Sequence, residues 1–139
     1  MRVACHLDFI NAYNTLDRRV VRDEVAKHIP SLLPFVRRFF CRAGRLVFTG
    51  NGSGPRLSRT FLSMTGVRQG DPLGALLFSL AYAVALRAVR EAYPAVLLPS
   101  YIDDTHLIGL GDDTAAATSM LIAEARKIGL EVNVPKSFL

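Results

Sequence analysis

Two adjacent carboxylates stand between apolar segments in the last third of the sequence. The stretch Tyr101-Ile102-Asp103-Asp104 predicts a tight turn that carries both acids between two strands. Like charges this close repel one another, and a cation that binds both removes that cost. Hard divalent ions such as Mg²⁺ bind carboxylate oxygens and keep waters and substrate phosphates. The pair is therefore a candidate metal site, although aspartate also favours turns for its own hydrogen bonds. The similar pair Asp112-Asp113 we interpret as a helix cap and its neighbour.

A third carboxylate, Asp8, ends a segment with strand-like alternation. Apolar residues at positions 3, 5, 7 and 9 alternate with Ala4, His6 and Asp8, which predicts a strand ending near Phe9. A buried aspartate in a strand is costly unless it is paired or binds a metal. If this strand neighbours those beside Asp103, the three acids converge at one end of a sheet. Carboxylates shared by two ions about 4 Å apart stabilise the attacking and leaving oxygens in phosphoryl transfer.

A polar loop bracketed by glycines is the third feature with chemical potential. It reads Gly66-Val67-Arg68-Gln69-Gly70-Asp71-Pro72-Leu73. Glycine lets the backbone approach a ligand closely, and free N–H groups suit an anion or a base edge. Asp71 is also a predicted N-cap with Pro72 at the first helical position, so a plain helix start explains the same residues.

The charge of the chain is uneven. The net charge is +5, and positions 18–68 hold eleven Arg or Lys against two acids. That segment carries +9, which leaves −4 for the rest, and 14 of the 17 cations are Arg. The basic segment indicates a nucleic-acid surface, with a solvated helix face as the alternative.

Composition also limits the cellular setting. The longest stretch without a charge, positions 72–86, has fifteen residues, fewer than the about 20 that a membrane span needs, so we predict a buried helix and no membrane partner. Asp8 precedes any apolar region that could serve as a signal peptide. Cys5 and Cys41 lack metal or redox spacing, which predicts two buried free thiols in a reducing compartment.

Hydrophobic periodicity predicts one α/β unit, in which an antiparallel sheet is covered by helices on one face. This layout is typical of polymerase palms and equally of RNA-recognition-motif (ferredoxin-like) folds. The predicted elements are a strand at 3–9, helices across 16–40 broken at Pro30 and Pro34, hairpin strands at 45–49 and 59–65 around a mobile tip at 50–55, a helix at 72–92, strands at 96–102 and 105–109, a helix from 112 to Gly129, and a strand at 130–134.

Four segments, taken in order, resemble the palm motifs of reverse transcriptases (RNA-directed DNA polymerases), most closely those of non-LTR (LINE-type) retrotransposons. Residues 7–18 (LDFINAYNTLDR) resemble motif A, and residues 66–80, with RQGDPL and LLF, resemble motif B. Residues 101–104 (YIDD) resemble motif C, and residues 129–137 (GLEVNVPKS) resemble motif D. The ordered set covers essentially the whole chain. Ile102 replaces the usual Ala or Met, and Gly74-Ala75 the frequent Ser-Pro, but neither change removes a catalytic group.

The resemblance implies a two-metal site for nucleotidyl transfer of dNTPs onto a primer 3′-hydroxyl. Asp8 and Asp103 would bridge two Mg²⁺ ions, for which Mn²⁺ could substitute, with Asp104 assisting. The carbonyl of Phe9 would also touch a metal. Lys136 would donate a proton to the leaving pyrophosphate, although a solvated lysine is an equally simple interpretation.

The resemblance also implies roles for the residues around the metals. Tyr13 would stack under the incoming sugar and exclude a 2′-hydroxyl, with a plain core aromatic as the alternative. Gln69 and Gly70 would line the nucleotide and template site. Tyr101 and Arg68 would lie near the primer and template.

Further expectations concern the whole polymerase. The family has fingers before motif A and a thumb after motif D, so we interpret residues 1–139 as a palm fragment of a retrotransposon polyprotein or as a truncated element. We expect little polymerase activity from the fragment alone. Its partners would be an RNA template, a DNA primer, dNTPs and the missing fingers and thumb, and its location nuclear or cytoplasmic.

Three alternatives remain open. The first is an RNA-dependent RNA polymerase, which Tyr13 disfavours. The second is an inactive remnant that binds nucleic acid through its basic helices and hairpin. The third is an RNA-recognition-type module, in which Asp8, Asp103 and Asp104 would repel phosphate unless a metal were bound.

Overall fold

The computed structural model describes residues 1–49 and 58–138 of the chain. Helices and strands alternate irregularly along it, as the hydrophobic pattern indicates. In order they are β1 (Arg2–Leu7), α1 (Ala12–Thr15), α2 (Arg18–His28), a 3₁₀ turn (Pro30–Leu32), α3 (Leu33–Phe39), β2 (Gly44–Thr49), β3 (Ser58–Ser63), α4 (Gly74–Ala92), β4 (Ser100–Tyr101), β5 (Asp104–Leu110), α5 (Gly111–Lys127) and a second 3₁₀ turn (Val134–Lys136).

The central sheet has three antiparallel strands in the order β1-β5-β4. Strand β1 pairs with β5 from Arg2 opposite Leu110 to Leu7 opposite Thr105. Strand β4 pairs with the start of β5 and sets Tyr101 opposite Asp104. Strand β1, which ends just before Asp8, is therefore a direct neighbour of the strand that follows Asp103, as the convergence of acids requires.

One face of this sheet packs against helices. Side chains at alternate positions of β1 and β5, such as Leu7 and Leu107, are buried, whereas His6 and His106 between them are partly exposed. Helix α4 supplies the largest buried set: Leu77, Phe78, Ala81, Tyr82, Ala85 and Val89. The hydroxyl of Tyr82 pairs with the buried hydroxyl of Thr105 at 2.9 Å, which satisfies both polar groups. The arrangement confirms the predicted class, an antiparallel sheet with helices on one face.

The prediction of a final strand at 130–134 is wrong. Residues 131–138 run beside the outer edge of β1, but they contribute only isolated bridges, Phe9 to Val132 and His6 to Phe138. The N–H of Asn133 donates to the carbonyl of Asp8, and the chain then turns into the 3₁₀ segment. Pro135 lies in that segment and has no N–H to continue a strand ladder.

Two predicted helix starts are displaced along the chain. Helix α4 begins at Gly74 rather than Pro72, because Asp71 first forms a turn. The Asp71 carboxylate accepts a hydrogen bond from the N–H of Leu73, and the Asp71 carbonyl accepts one from the N–H of Gly74. Helix α5 begins at Gly111, one residue before the predicted cap, and is preceded by Leu110 at the N-cap position.

Two details of the first half also differ from expectation. Pro34 does not break a helix; it lies in the first turn of α3, where its missing N–H is tolerated. Cys5 is a buried free thiol as predicted, but Cys41 is exposed, so that part of the prediction is wrong. Cys41 follows α3 in an exposed connection to the hairpin.

Strands β2 and β3 form a separate hairpin. Apolar side chains on both of its faces are exposed, Leu46 and Phe61 on one face and Val47 and Leu62 on the other. The predicted tip at 50–55 lies outside the described residues. Arg18 ties the hairpin to α2, because its guanidinium donates to the carbonyls of Gly66 and Ser63 at 2.8 and 3.0 Å. Within residues 1–49 and 58–138, no helix has the length and apolarity to cross a membrane.

Candidate active site

Asp8 lies just beyond β1 and is held through its backbone. Its N–H donates to the hydroxyl of Ser137 at 3.1 Å, and its carbonyl accepts from the N–H of Asn133 at 2.8 Å. The C-terminal segment thus fixes the position of the first candidate carboxylate. Continuing the β1–β5 register by one residue brings Asp8 opposite Asp104, at the same end of the sheet.

Asp103 and Asp104 lie at the turn between β4 and β5. Ile102 precedes them with φ 59°, a left-handed conformation that costs a residue with a Cβ about 1–2 kcal/mol. Such strain occurs at functional sites more often than elsewhere. The two side chains have different surroundings. Asp103 borders a cleft, whereas Asp104 is hydrogen-bonded to Nε2 of His6 at 2.5 Å.

A cleft of about 240 Å³ opens beside Asp103. It is lined by three separate stretches of the chain that sequence resemblance assigns to motifs A, B and C. The lining residues are Phe9, Asn11, Ala12, Tyr13, Asn14, Gln69 and Asp103. The fold therefore brings Phe9, Tyr13, Gln69 and Asp103 together, although they are up to 94 positions apart in sequence.

The ring of Tyr13 forms one wall of the cleft. It stacks on Phe78 of α4 with centroids 5.1 Å apart and planes inclined by 10°. Burial raises the pKa of Tyr13 above its ordinary value, and the negative charge of Asp103 raises it further. The phenol is therefore neutral at physiological pH and can donate a hydrogen bond. Burial likewise raises the pKa of Tyr82 beneath the sheet.

Two glycines permit close backbone approaches in the loop at 66–74, Gly66 against α1 and Gly74 within the loop itself. The N–H of Val67 donates to the carbonyl of Tyr13 at 2.7 Å. A Cβ on Gly66, whose φ is +74°, would lie 2.3 Å from that carbonyl oxygen, and a Cβ on Gly74 would lie 2.6 Å from the carbonyl oxygen of Arg68. Glycine is thus required for this approach. Gly70 also has a positive φ, +84°, but nothing lies within 4 Å of its Cβ position.

The remaining predicted site residues do not line the cleft. Tyr101 is 80% exposed on β4, and Lys136 is exposed on the second 3₁₀ turn. Arg68 is exposed with its guanidinium 3.5 Å from the Cβ position of Gly44, at the base of the hairpin. The positive charge of Arg68 also reaches Arg18: burial lowers the pKa of the Arg18 guanidinium, and Arg68 lowers it further.

The three candidate carboxylates differ in whether another side chain already binds them. Within the described part of the chain, the carboxylates of Asp8 and Asp103 accept no hydrogen bond and form no ion pair, so they are available to a hard divalent cation. Asp104 is instead engaged by histidine. The compact group of metal-ligating side chains among residues 1–49 and 58–138 is His6, Asp104 and His106, with ligand atoms within 4.8 Å of one another.

Sequence reasoning missed those two histidines. The available signal was their position, since His6 lies two residues before Asp8 and His106 two residues after Asp104. Residues two apart on a strand share a face, and His6 lies directly opposite His106. The pairing becomes visible only when the register of β1 against β5 is known.

The fold and the cleft together define a class, a palm-like domain of helices on one face of an antiparallel sheet. No protein-family model matches the chain. Telomerase from Candida tropicalis, solved in complex with the TWJ fragment of telomeric RNA, superposes with a TM-score of 0.70 at 15% identity, covering 99% of this chain and 25% of that one. Apo telomerase from the same organism, truncated from the C-terminal domain, superposes with a TM-score of 0.66 at 17% identity, covering 99% of this chain and 30% of that one.

The sequence itself is similar to the retrotransposable element SLACS 132 kDa protein of Trypanosoma brucei gambiense. The two are 29% identical over 133 residues, which cover 94% of this chain and 11% of the relative. The chain therefore spans about a tenth of that protein. The sequence likeness is thus to a retrotransposable-element protein, and the likenesses to the telomerase structures show the fold.

Proposed function

We propose that this chain is the palm of an RNA-directed DNA polymerase of the non-LTR retrotransposon type. The observation that carries the proposal is the cleft in which Phe9, Tyr13, Gln69 and Asp103 meet, with Asp8 at the same end of the sheet. Its walls hold an aromatic ring, an amide and an open carboxylate. That combination suits a nucleotide with a metal-bound triphosphate.

Asp8, Asp103 and the Phe9 carbonyl would hold two Mg²⁺ ions, with Asp104 assisting. Bound ions of this kind lower the barrier to attack by a primer 3′-hydroxyl and neutralise charge on the triphosphate. The chain's own contribution is positioning. The backbone bonds of Asp8 to Ser137 and Asn133 hold one carboxylate, and the β4–β5 turn holds the other two. Lys136, on the same C-terminal segment, is the proposed proton donor to pyrophosphate.

Tyr13 is the proposed selector of deoxynucleotides. Its ring is braced by Phe78, so it cannot swing away without losing a stacked aromatic contact. A sugar resting on the ring would meet it with its 2′ position, where an added hydroxyl would clash. A rigid ring at this position is the feature that favours reverse transcription over RNA-templated RNA synthesis.

The template and primer would contact the basic part of the chain. Six exposed arginines of α3, the hairpin and the connecting loops make no ion pair within the described residues: Arg37, Arg38, Arg42, Arg45, Arg59 and Arg68. We call these the unpaired arginines. Cations without acidic partners are available to phosphates. Two of the matching telomerase structures contain an RNA fragment, which supports the same assignment.

The parent protein would add the fingers and thumb to this palm. The similarity to a relative about nine times longer supports a larger assembly. A second candidate function is a nucleic-acid-binding remnant without catalysis. The contact between His6 and Asp104 favours it, because it engages one of the three carboxylates.

Mn²⁺ binding by this chain tests the proposal without requiring polymerase activity. We expect Asp8→Asn and Asp103→Asn each to weaken Mn²⁺ binding, measured by the enhancement of water proton relaxation. Asp113→Asn, in the exposed first turn of α5, is the matched control and should bind as the parent does. Equal Mn²⁺ affinity in all four proteins would refute the two-metal site and leave the binding remnant as the better explanation.

A further inference from the structure

We propose that His6, Asp104 and His106 form a binding site for a borderline transition-metal ion such as Zn²⁺, separate from the Mg²⁺ pair but sharing Asp104 with it. The three residues lie on the partly exposed face of the central sheet, opposite the helices. Neither His6 nor His106 lines the proposed nucleotide cleft. The site itself needs no polymerase activity, whereas its effect on catalysis rests on the proposed function.

The strand register holds the two histidines together. His6 on β1 is directly opposite His106 on β5, and their rings are 4.8 Å apart. Asp104 lies two residues before His106 and so on the same face. One oxygen of Asp104 is 2.5 Å from Nε2 of His6 and 3.8 Å from Nε2 of His106. Both imidazoles therefore converge on one carboxylate oxygen.

The spacing is close to that of a tetrahedral zinc site. With zinc–ligand distances of about 2.0–2.1 Å, ligand atoms in such a site are about 3.3 Å apart. The three ligand atoms here lie within 4.8 Å of one another. The largest gap to close is therefore about 1.5 Å. Rotation of the exposed side chains can close it, since Asp104 is 58% exposed and His106 is 45% exposed.

His6 is the anchored member of the set. Its side chain is only 18% exposed, and its ring packs 5.0 Å from the ring of Phe138. Its Nδ1 atom is buried and has no partner among the described residues. Nε2 is therefore the nitrogen of this ring that faces other groups, and it points at Asp104.

The donor set selects the class of ion. Imidazole nitrogen suits Zn²⁺, Co²⁺, Ni²⁺ and Cu²⁺, whereas Mg²⁺ prefers all-oxygen ligands such as Asp8 and Asp103. Three protein ligands leave a coordination position for water or an anion. An ion held here would hold Asp104 on the histidine side of the β4–β5 turn. Zn²⁺ would then compete with the metal pair for that carboxylate and inhibit a Mg²⁺-dependent reaction.

Titration of the chain with Zn²⁺ against a chromophoric chelator tests the site. We expect one equivalent to bind, and His6→Gln and His106→Gln each to raise the dissociation constant more than about 10-fold, the least that losing even a supporting residue costs. Replacement of Zn²⁺ by Co²⁺ should give visible d–d absorption that both variants lose. His28→Gln with Cys41→Ser, which removes two other exposed donors, should leave binding unchanged.

A comparison with Mn²⁺ keeps this proposal distinct from the proposed function. Asp8→Asn should weaken Mn²⁺ binding and spare Zn²⁺, whereas His106→Gln should do the reverse, and Asp104→Asn should affect both ions. Circular dichroism of each variant checks that the fold is intact. Zn²⁺ binding that survives in both folded histidine variants, or the absence of one-to-one binding in the parent, would overturn the site. If the Zn²⁺ results are as expected but Asp8→Asn and Asp104→Asn bind Mn²⁺ as the parent does, only the polymerase assignment is overturned.

Discussion

Replacement of Gly66 by alanine should destabilise the protein far more than its single added methyl group suggests. Gly66 has φ +74°, and a left-handed conformation costs an alanine about 1–2 kcal/mol. The added Cβ would also lie 2.3 Å from the carbonyl oxygen of Tyr13 and 2.5 Å from backbone atoms of Asn14. Backbone cannot rotate away as a side chain can, so the loop must shift.

That shift has a cost that the structure allows us to work out. Moving the loop would disrupt the backbone bonds from Gly66 to Leu16 and from Val67 to Tyr13, at 2.8 and 2.7 Å. Each contributes about 1 kcal/mol net. With the conformational cost, Gly66→Ala should lower the free energy of unfolding by about 3–4 kcal/mol. The loop with Gln69 would also move from the cleft.

Gly70→Ala is the matched control, because Gly70 has the same backbone preference but no neighbour. Its φ is +84°, and nothing lies within 4 Å of its Cβ position, so we expect a loss of only about 1–2 kcal/mol. Urea denaturation followed by circular dichroism measures both. With a slope of about 2 kcal/mol per molar, the Gly66 variant should unfold at a midpoint about 1 M below the Gly70 variant. Equal midpoints would refute the close approach of the loop to α1.

Two other features give predictions of their own. Glu24 is 2% exposed and accepts hydrogen bonds from Lys27 and Arg87 at 2.6 and 2.7 Å. Burial raises its pKa, but these two cations more than reverse that effect and hold the pKa below the ordinary value of 4.5. A lowered folded-state pKa contributes stability above the unfolded pKa that is lost as pH falls through the folded one. Glu24→Gln should therefore cost about 2 kcal/mol at pH 7, and its deficit in urea melts should shrink below about pH 4; a deficit that is constant with pH would contradict the ion pairs. Second, affinity for an RNA–DNA duplex should fall steeply with salt, and Arg37→Gln with Arg38→Gln should reduce the slope of log K against log salt by about 0.9 per lost phosphate contact, whereas Arg126→Gln on α5 should leave it unchanged. An unchanged slope in the double variant would mean that these arginines form only a solvated face.

Local patterns predicted most individual elements. The uncharged run at 72–86 became the N-terminal part of α4, and alternation near Asp8 and after Asp104 became β1 and β5. Gly129 ends α5 with φ +88°, as its sequence position indicates. These features depend on neighbouring residues, whose spacing sets which face is apolar and where the backbone can turn.

Two of the incorrect predictions involve partners distant in the chain. Residues 130–134 have strand-like composition, but Pro135 and the bond from Asn133 to Asp8 leave only isolated bridges. Cys41 is apolar by type, yet it is exposed in the connection between α3 and the hairpin. In both cases the outcome depends on what packs against the segment, which its own residues do not specify.

The candidate site separates the two kinds of information most clearly. The residue types alone determined that three aspartates and a glycine-bracketed loop were available for metal and nucleotide chemistry. Only the tertiary structure decided which of them face one another: the pairing of Leu7 with Thr105 brings His6 against Asp104 and His106, while Asp103 turns toward Tyr13 and Gln69. The reason is physical, since a shift of one residue in strand register would move every side chain of β1 to the other face of the sheet.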